Sequence, residues 1–323
     1  ALRAARLAAQ GEAPTGPDPR QVRTFDELLL AYMREVTPQK GVPERDRYTA
    51  RHLQPVFTGK PLSQIGVAEV RAYLKSRQAE GAMAGTINKE VGLMSAAINW
   101  ANRELEWGIP NPWMARRQQE PAGRTRWLTE EEVDRLLTAA RAGRAKWHLP
   151  AYILLCLHAG LRSNEALHLE WSRVDLGRNR LHLGATDQKN ARVSEIPINA
   201  SARAALIERA SFRAVHCPDT PWVFSRRSGI RIGAVKHGFA LAVAAAGLKD
   251  CHPHDLRRTC GSWLVQAGVG IERVAMILRH SDVRVTARVY AHLRHADLAD
   301  DITALDRRAA GNKISRDDFT LAI

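Results

Sequence analysis

The sequence has no apolar run long enough to cross a bilayer. Its longest mainly apolar stretch, Leu149–Leu161, is 13 residues and carries His158, whereas a spanning helix needs about 18 to 20. A helical membrane span is excluded. Cysteine is also scarce: Cys156, Cys217, Cys251 and Cys260 are the only four in 323 residues. With no C-x-x-C pair and no signal peptide, they exclude a disulfide scaffold and predict a reducing, cytoplasmic compartment. No G-x-x-x-x-G-K-[ST] occurs, and Gly268-Val269-Gly270 is too short for a dinucleotide fingerprint, so no cofactor is expected. Cys251, His252, His254 and Cys260 lie close together in sequence, but their spacing fits no standard zinc finger, and no metal is expected. Lysine is rare, nine of 48 basic residues. An arginine excess suits bidentate grip on phosphate, and a GC-rich coding sequence gives the same excess.

What is abundant is positive charge. The 48 Lys and Arg against 34 Asp and Glu leave +14 and a pI of about 10.2, which points to a polyanionic partner, since cations gain affinity by displacing the counterions of nucleic acid. The charge is densest over 111–128, where Arg116, Arg117, Arg124 and Arg126 face the single acid Glu120, and Pro121 and Gly123 break any periodicity. This is how a basic interdomain linker reads, and the length predicts two domains. The expected organisation is a tail at 1–20, a helical domain at 21–110, the linker at 111–128, a larger domain at 129–300 and a tail at 301–323.

Apolar spacing predicts a mainly α (α+β) fold. Phe25, Leu28, Leu29 and Tyr32 repeat at helical intervals, as do Val67, Val70, Tyr73 and Leu74, then Ile87, Val91, Met94 and Ile98. These form a bundle of about four helices. Its charged residues (Arg45, Arg47, Arg51, Lys60, Lys75, Arg77, Lys89) read as solvated faces or as contacts to nucleic acid. After the linker, Thr129 ahead of Glu130, Glu131 and Glu132 reads as a helix N-cap, and Gly160 as the terminator of a buried helix beginning at Leu149. From Arg180 to Ile198 the period changes to two, with Leu181, Leu183, Ile196 and Ile198 around a turn-like Asp187-Gln188-Lys189-Asn190, which predicts a β-hairpin. Helices follow to the end.

One stretch concentrates groups fit for chemistry. His254-Asp255-Leu256-Arg257-Arg258 opens a helix after Pro253, setting His254 and Arg257 three residues apart on its first turn, where backbone N–H groups favour anions. Alone, an H-x-x-R fits a capping histidine beside a surface arginine. It is joined by Gly160-Leu161-Arg162 with Glu165, by Lys189 at the hairpin tip with Arg192 close behind, by Leu278-Arg279-His280, and by Tyr290 ten residues beyond His280. In this order and spacing the set resembles the tyrosine recombinases, the phage integrase family of DNA strand-exchange enzymes. The resemblance covers most of the chain and is strongest over 127–296.

Carried over residue by residue, the resemblance implies Arg162 and Arg257 as an arginine pair on the scissile phosphate, His280 as a hydrogen-bond donor to it, Tyr290 as nucleophile, His254 as proton acceptor and Lys189 as the acid for the leaving 5′-oxygen. Glu165 would orient local structure. Arg279 stands where the family usually has Gly, and its side chain is read, with Arg116, Arg117, Arg124, Arg126, Arg192 and Arg258, as a DNA contact. The implied partners are double-stranded DNA at specific recombination sites, held between the core-binding bundle and the catalytic domain. Four protomers would meet in the synapse from a monomer or weak oligomer, with accessory DNA-bending or directionality proteins. A 3′-phosphotyrosyl ester keeps the bond energy, so neither ATP nor metal is implied. A bacterial or phage origin with nucleoid association follows. The start at Ala rather than Met is read as a truncation, with an arm-binding region ahead of it, and the tail ending Phe319-Thr320-Leu321-Ala322-Ile323 as docking on a neighbouring protomer. Integration or excision of a mobile element or prophage is the leading expectation. The alternatives are a Xer-type chromosome or plasmid resolvase, a type IB topoisomerase-like activity, a non-catalytic helix-turn-helix protein and a metal-dependent carboxylate recombinase.

Overall fold

In the computed structural model, which describes residues 23–121, 123–184, 193–290 and 293, the chain divides into two units, 1–122 and 123–323. In the first unit, Thr24 caps helix α1 (Phe25–Glu35) reciprocally: its hydroxyl accepts from Glu27 N at 3.2 Å, and its own N–H donates to the Glu27 carboxylate at 3.1 Å. Helices α2 (Pro43–Phe57), α3 (Val67–Ala79) and α4 (Ala84–Glu104) follow. Their apolar stripes close a core of Phe25, Leu28, Leu53, Phe57, Val70, Tyr73, Ile87 and Met94.

Two features of this unit differ from the sequence reading. Trp113, in the presumed linker, is 1% exposed and stacks edge-on against Phe57 and Tyr73 at 5.5 and 5.7 Å. The first part of 111–128 is thus bundle core. Its last part belongs to the second unit, where Leu128 is buried and its N–H donates to Thr259 Oγ1 at 2.9 Å. Arg77, read as a solvated or DNA-facing charge, is instead buried against Glu90, whose carboxylate also accepts from Tyr73 Oη at 2.8 Å. A buried carboxylate needs such partners to offset its lost hydration.

The second unit starts on the Thr129–Glu132 capping box of helix α5 (Glu130–Ala142). Helix α6 (Leu149–His158) is buried along nearly its whole length and packs against α5 and α8 (Ala200–His216). A short helix α7 (Ser163–Leu167) precedes a three-stranded antiparallel sheet of β1 (Val174–Asp175), β2 (Arg180–Leu183) and β3 (Ser194–Pro197). The register pairs Leu181 with Ile196 and Leu183 with Ser194, so Leu181, Leu183 and Ile196 face the core while His182 and Glu195 face solvent. The β2–β3 pairing is the expected hairpin; its tip, with Lys189 and Arg192, lies outside the described residues. Helices α9 (Lys236–Ala245), α10 (Pro253–Gln266), α11 (Ile271–Ile277) and α12 (Val283–Tyr290) complete the unit. The last three enclose a small cluster of their own, Cys260, Val265, Ile271, Val274, Leu278 and Tyr290. Among the described residues no helix is long and apolar enough to cross a membrane.

Candidate active site

Gly160 is the pivot on which the site is built. It ends α6 in a left-handed conformation (φ 56°), and a Cβ there would stand 2.8 Å from Leu278 Cδ2 and 3.3 Å from Cys260 Sγ. Only glycine combines that backbone with that approach. Two residues on, Arg162 is the N-cap of α7. Its N–H donates to Glu165 Oε2 at 2.8 Å and its guanidinium to Oε1. Glu165 is 2% exposed. Burial alone would raise its carboxyl, but Arg279 and Arg162 together hold it below the usual range, so it stays ionised.

Helix α10 supplies the H-x-x-R pair. Pro253 occupies its first turn, and Asp255 reaches back to accept from His252 N at 2.8 Å. Asp255 also accepts from Arg124 at 3.0 Å and Arg258 at 3.1 Å. Arg257 points the other way, is 2% exposed, and donates to the carbonyls of Gly160 and Leu278. Burial, then the Arg162 and Arg279 charges, draw it down to about 9, so it remains cationic at neutral pH. His254 is exposed. Its partial desolvation and the nearby Arg258 and Arg257 hold its imidazole below the ordinary range, so it is neutral and able to accept a proton.

Helix α11 ends in a Schellman turn, with Arg279 N donating to Met276 O at 3.0 Å and His280 N to Ala275 O at 2.9 Å. The turn presents His280, whose Nδ1 lies 2.6 Å from the buried Thr286 Oγ1 of α12, leaving Nε2 for a substrate. Burial and the Arg257, Arg162 and Arg279 charges push His280 down to about 4. Tyr290 closes α12, 3% exposed, with its phenol lying over Gly261 of α10. Burial raises it to about 12 against the pull of Arg257.

The structure therefore brings Arg162, Glu165, Arg257, Arg279, His280 and Tyr290 into one cluster around Gly160 and Gly261, with His254 at its edge. Arg124 and Arg126 have protein partners, Asp250 with Asp255 and Glu132 respectively. Arg116 and Arg117 lie in the first unit, half-buried and exposed. Arg279 departs from the expected DNA contact. It is 7% exposed, and its guanidinium donates to Glu165 Oε2 at 2.7 Å, Gly160 O at 2.9 Å and Ile277 O at 2.8 Å. A buried carboxylate nearby outweighs solvent for that side chain. Thr286, Asp255 and Gly261 support the site, and of these only Gly261 lies outside the motifs that the sequence singles out. A glycine inside the helical run Thr259-Cys260-Gly261-Ser262-Trp263 was the available signal for a close approach.

The family model of the phage integrase family matches residues 126–297, more than half of the chain. The chain belongs to the phage integrase family. It is 28% identical over 286 residues to the tyrosine recombinase XerD of Caulobacter vibrioides, covering 84% of this chain and 87% of that protein. With the integrase of Salmonella phage P22 it shares 25% identity over 217 residues, 63% of this chain and 53% of the other. The fold is that of the Tn1549 transposon integrase, solved with transposon right end DNA (TM-score 0.70, 18% identity, 89% of this chain and 100% of that one). It is also that of a lambda integrase(75-356) dimer bound to a COC′ core site (TM-score 0.68, 18% identity, 81% and 97%). As a tyrosine recombinase the chain is a DNA-cleaving and rejoining enzyme. Among the described residues no three His, Cys, Asp or Glu side chains gather where they could hold a metal ion, and all four thiols are free and buried.

Proposed function

We propose that this recombinase cuts and reseals duplex DNA at specific sites through Tyr290, in the integration or excision of a mobile element or prophage. The observation that carries the reading is the convergence of Arg162, Arg257, His280 and Tyr290 on the Gly160–Gly261 cluster, inside the span that matches the family. The Tyr290 phenolic oxygen forms a bond to the scissile phosphorus, and the bond from phosphorus to the 5′-oxygen breaks. His254 takes the phenol proton, and Lys189 gives one to the departing 5′-oxygen. The Arg162 and Arg257 charges, with a hydrogen bond from His280, offset the charge that develops on the non-bridging oxygens. Glu165 aligns Arg162.

The phosphotyrosyl ester retains the energy of the broken bond, so attack by a 5′-hydroxyl from a second duplex rejoins strands without ATP. Strand exchange of that kind needs four active sites on two duplexes. A lambda integrase tetramer bound to a Holliday junction has the same fold (TM-score 0.68, 17% identity, 87% of this chain and 86% of that one), which supports a homotetrameric synapse. The bundle, Arg116, Arg117 and Arg192 add sequence-tolerant phosphate contacts, and accessory DNA-bending proteins set direction at the nucleoid.

The test is to select the bound sequence from a randomised duplex pool, then place two copies on separate circles or on one circle. Joining of separate circles at a defined phosphodiester is the expected result. Reaction only between sites on one circle would overturn the integration reading in favour of a resolvase. Relaxation without exchange would refute both.

A further inference from the structure

Arg279 occupies a position that its backbone disfavours. It is the first residue past the C-cap of α11, with φ +54°, the left-handed conformation that a glycine adopts without steric cost. Its long side chain does not turn to solvent. The guanidinium lies in the interior, where it is costly to place unless compensated, and its bonds go to Glu165, Gly160 O and Ile277 O. Among the described residues the Arg279–Glu165 pair is the most buried ion pair at the site, with side chains 4% and 2% exposed.

The same residue meets Arg162 twice. Its carbonyl accepts from Arg162 Nη2 at 3.1 Å, and its guanidinium holds the carboxylate that takes the rest of Arg162's fork. Without Arg279, Arg162 would be the only cation among the described residues hydrogen-bonded to buried Glu165, and the two charges would largely cancel. With Arg279 present, the described cluster holds Arg162, Arg257 and Arg279 against one carboxylate, so its positive charge is not spent on Glu165.

We propose that Arg279 is a positioning residue for strand cleavage: it neutralises Glu165 and fixes the Arg162 fork, leaving the Arg162 charge for the scissile phosphate. The inference rests on the reaction proposed above and extends it to a position where the resemblance to the family predicts glycine. Arg279 acts from beneath the surface through Glu165 and Arg162 and does not touch DNA.

The test compares wild type, Arg279→Gly, Arg279→Lys, Glu165→Gln and the Arg279→Gly/Glu165→Gln double variant. Single-turnover adduct formation is followed on a nicked duplex carrying the selected site, and binding is measured on the intact duplex, from pH 5 to 9. Glycine fits the turn but leaves Glu165 one partner short, so a melting curve confirms that each variant is folded before its rate is read. Adduct formation by Arg279→Gly should slow about 10- to 100-fold while the Kd stays within about 2-fold. Its rate should also fail at higher pH on the acid side. Arg162, Arg279, Arg257 and Cys156 face Glu165, and removing Arg279 removes one of the two arginines that keep the carboxyl ionised against burial. Lysine should recover part of the rate, and Arg279→Gly should add little further loss in the Glu165→Gln background. A wild-type rate and pH profile in Arg279→Gly would overturn the proposal. So would a Kd that weakens in parallel with the rate, which marks a direct phosphate ligand, or a full additional loss in the Glu165→Gln background. A wild-type enzyme that forms no adduct at Tyr290 overturns the underlying reaction, and this inference with it.

Discussion

Replacing Gly261 with alanine would put a methyl group where the Tyr290 phenol, the proposed nucleophile, rests. An added Cβ falls 2.6 Å from Tyr290 Cζ, 2.8 Å from its Oη and 2.9 Å from Leu278 Cδ1. Ordinary carbon contacts lie at about 3.5 to 4 Å, so the ring must retreat by roughly 1 Å. Overpacking of this kind costs about 1–3 kcal/mol. Alanine in a helix interior recovers about 1 kcal/mol relative to glycine, so the net loss of about 0–2 kcal/mol leaves the unit folded. The chemistry is less tolerant, because displacing a reacting group by about 1 Å can cost about 100-fold in rate. Gly261→Ala should therefore bind its duplex normally and melt within a few degrees of wild type, yet form the covalent adduct about 100-fold more slowly. Single-turnover trapping on a nicked duplex, alongside binding and thermal melting, reads all three. A folded Gly261→Ala protein cleaving within about 2-fold of wild type would refute the placement of Tyr290 over α10.

Thr286→Val removes the hydroxyl that meets His280 Nδ1; with the ring unanchored, cleavage should slow by about 10-fold while stability falls by about 1–3 kcal/mol, and an unchanged cleavage rate would contradict the role of His280. His280 sits near 4 in the folded protein against about 6.5 in an unfolded chain. The folded state thus resists protonation, and this contribution is full above pH 6.5 and lost as pH falls toward 4. The melting temperature of His280→Gln should accordingly drop less between pH 7 and 4.5 than that of wild type, and an equal drop would count against it. Trp113→Ala should cost about 3–5 kcal/mol by cavity formation in the first unit, measured by denaturant unfolding; a neutral effect would return residue 113 to the linker.

Much of this site could be read along the chain because its parts are short and ordered in sequence: the turn before Arg162, the first helical turn at His254 and Arg257, and His280 followed by Tyr290. The β2–β3 hairpin was legible from its two-residue alternation, and the Thr129 cap from the acids that follow it. What escaped depends on partners distant in sequence. Arg279 turns inward because Glu165, 114 positions earlier, waits in the core. Arg77 is buried because Glu90 lies one helix away. Trp113 follows two prolines and precedes a run of arginines, so its neighbours read as linker while its ring belongs to the Phe57–Tyr73 cluster. Strand β1 has only two residues, too few for any periodicity.

The central claim, that Tyr290 is the nucleophile of a metal-independent strand cleavage, is tested most directly by trapping the enzyme on a nicked duplex in EDTA and mapping the linked peptide by mass spectrometry. The account predicts a 3′-phosphate ester on the Tyr290 peptide in the wild type, and no adduct from Tyr290→Phe with its DNA binding intact. An adduct on any other residue, a Tyr290→Phe protein that still cleaves, or cleavage abolished by EDTA would contradict it.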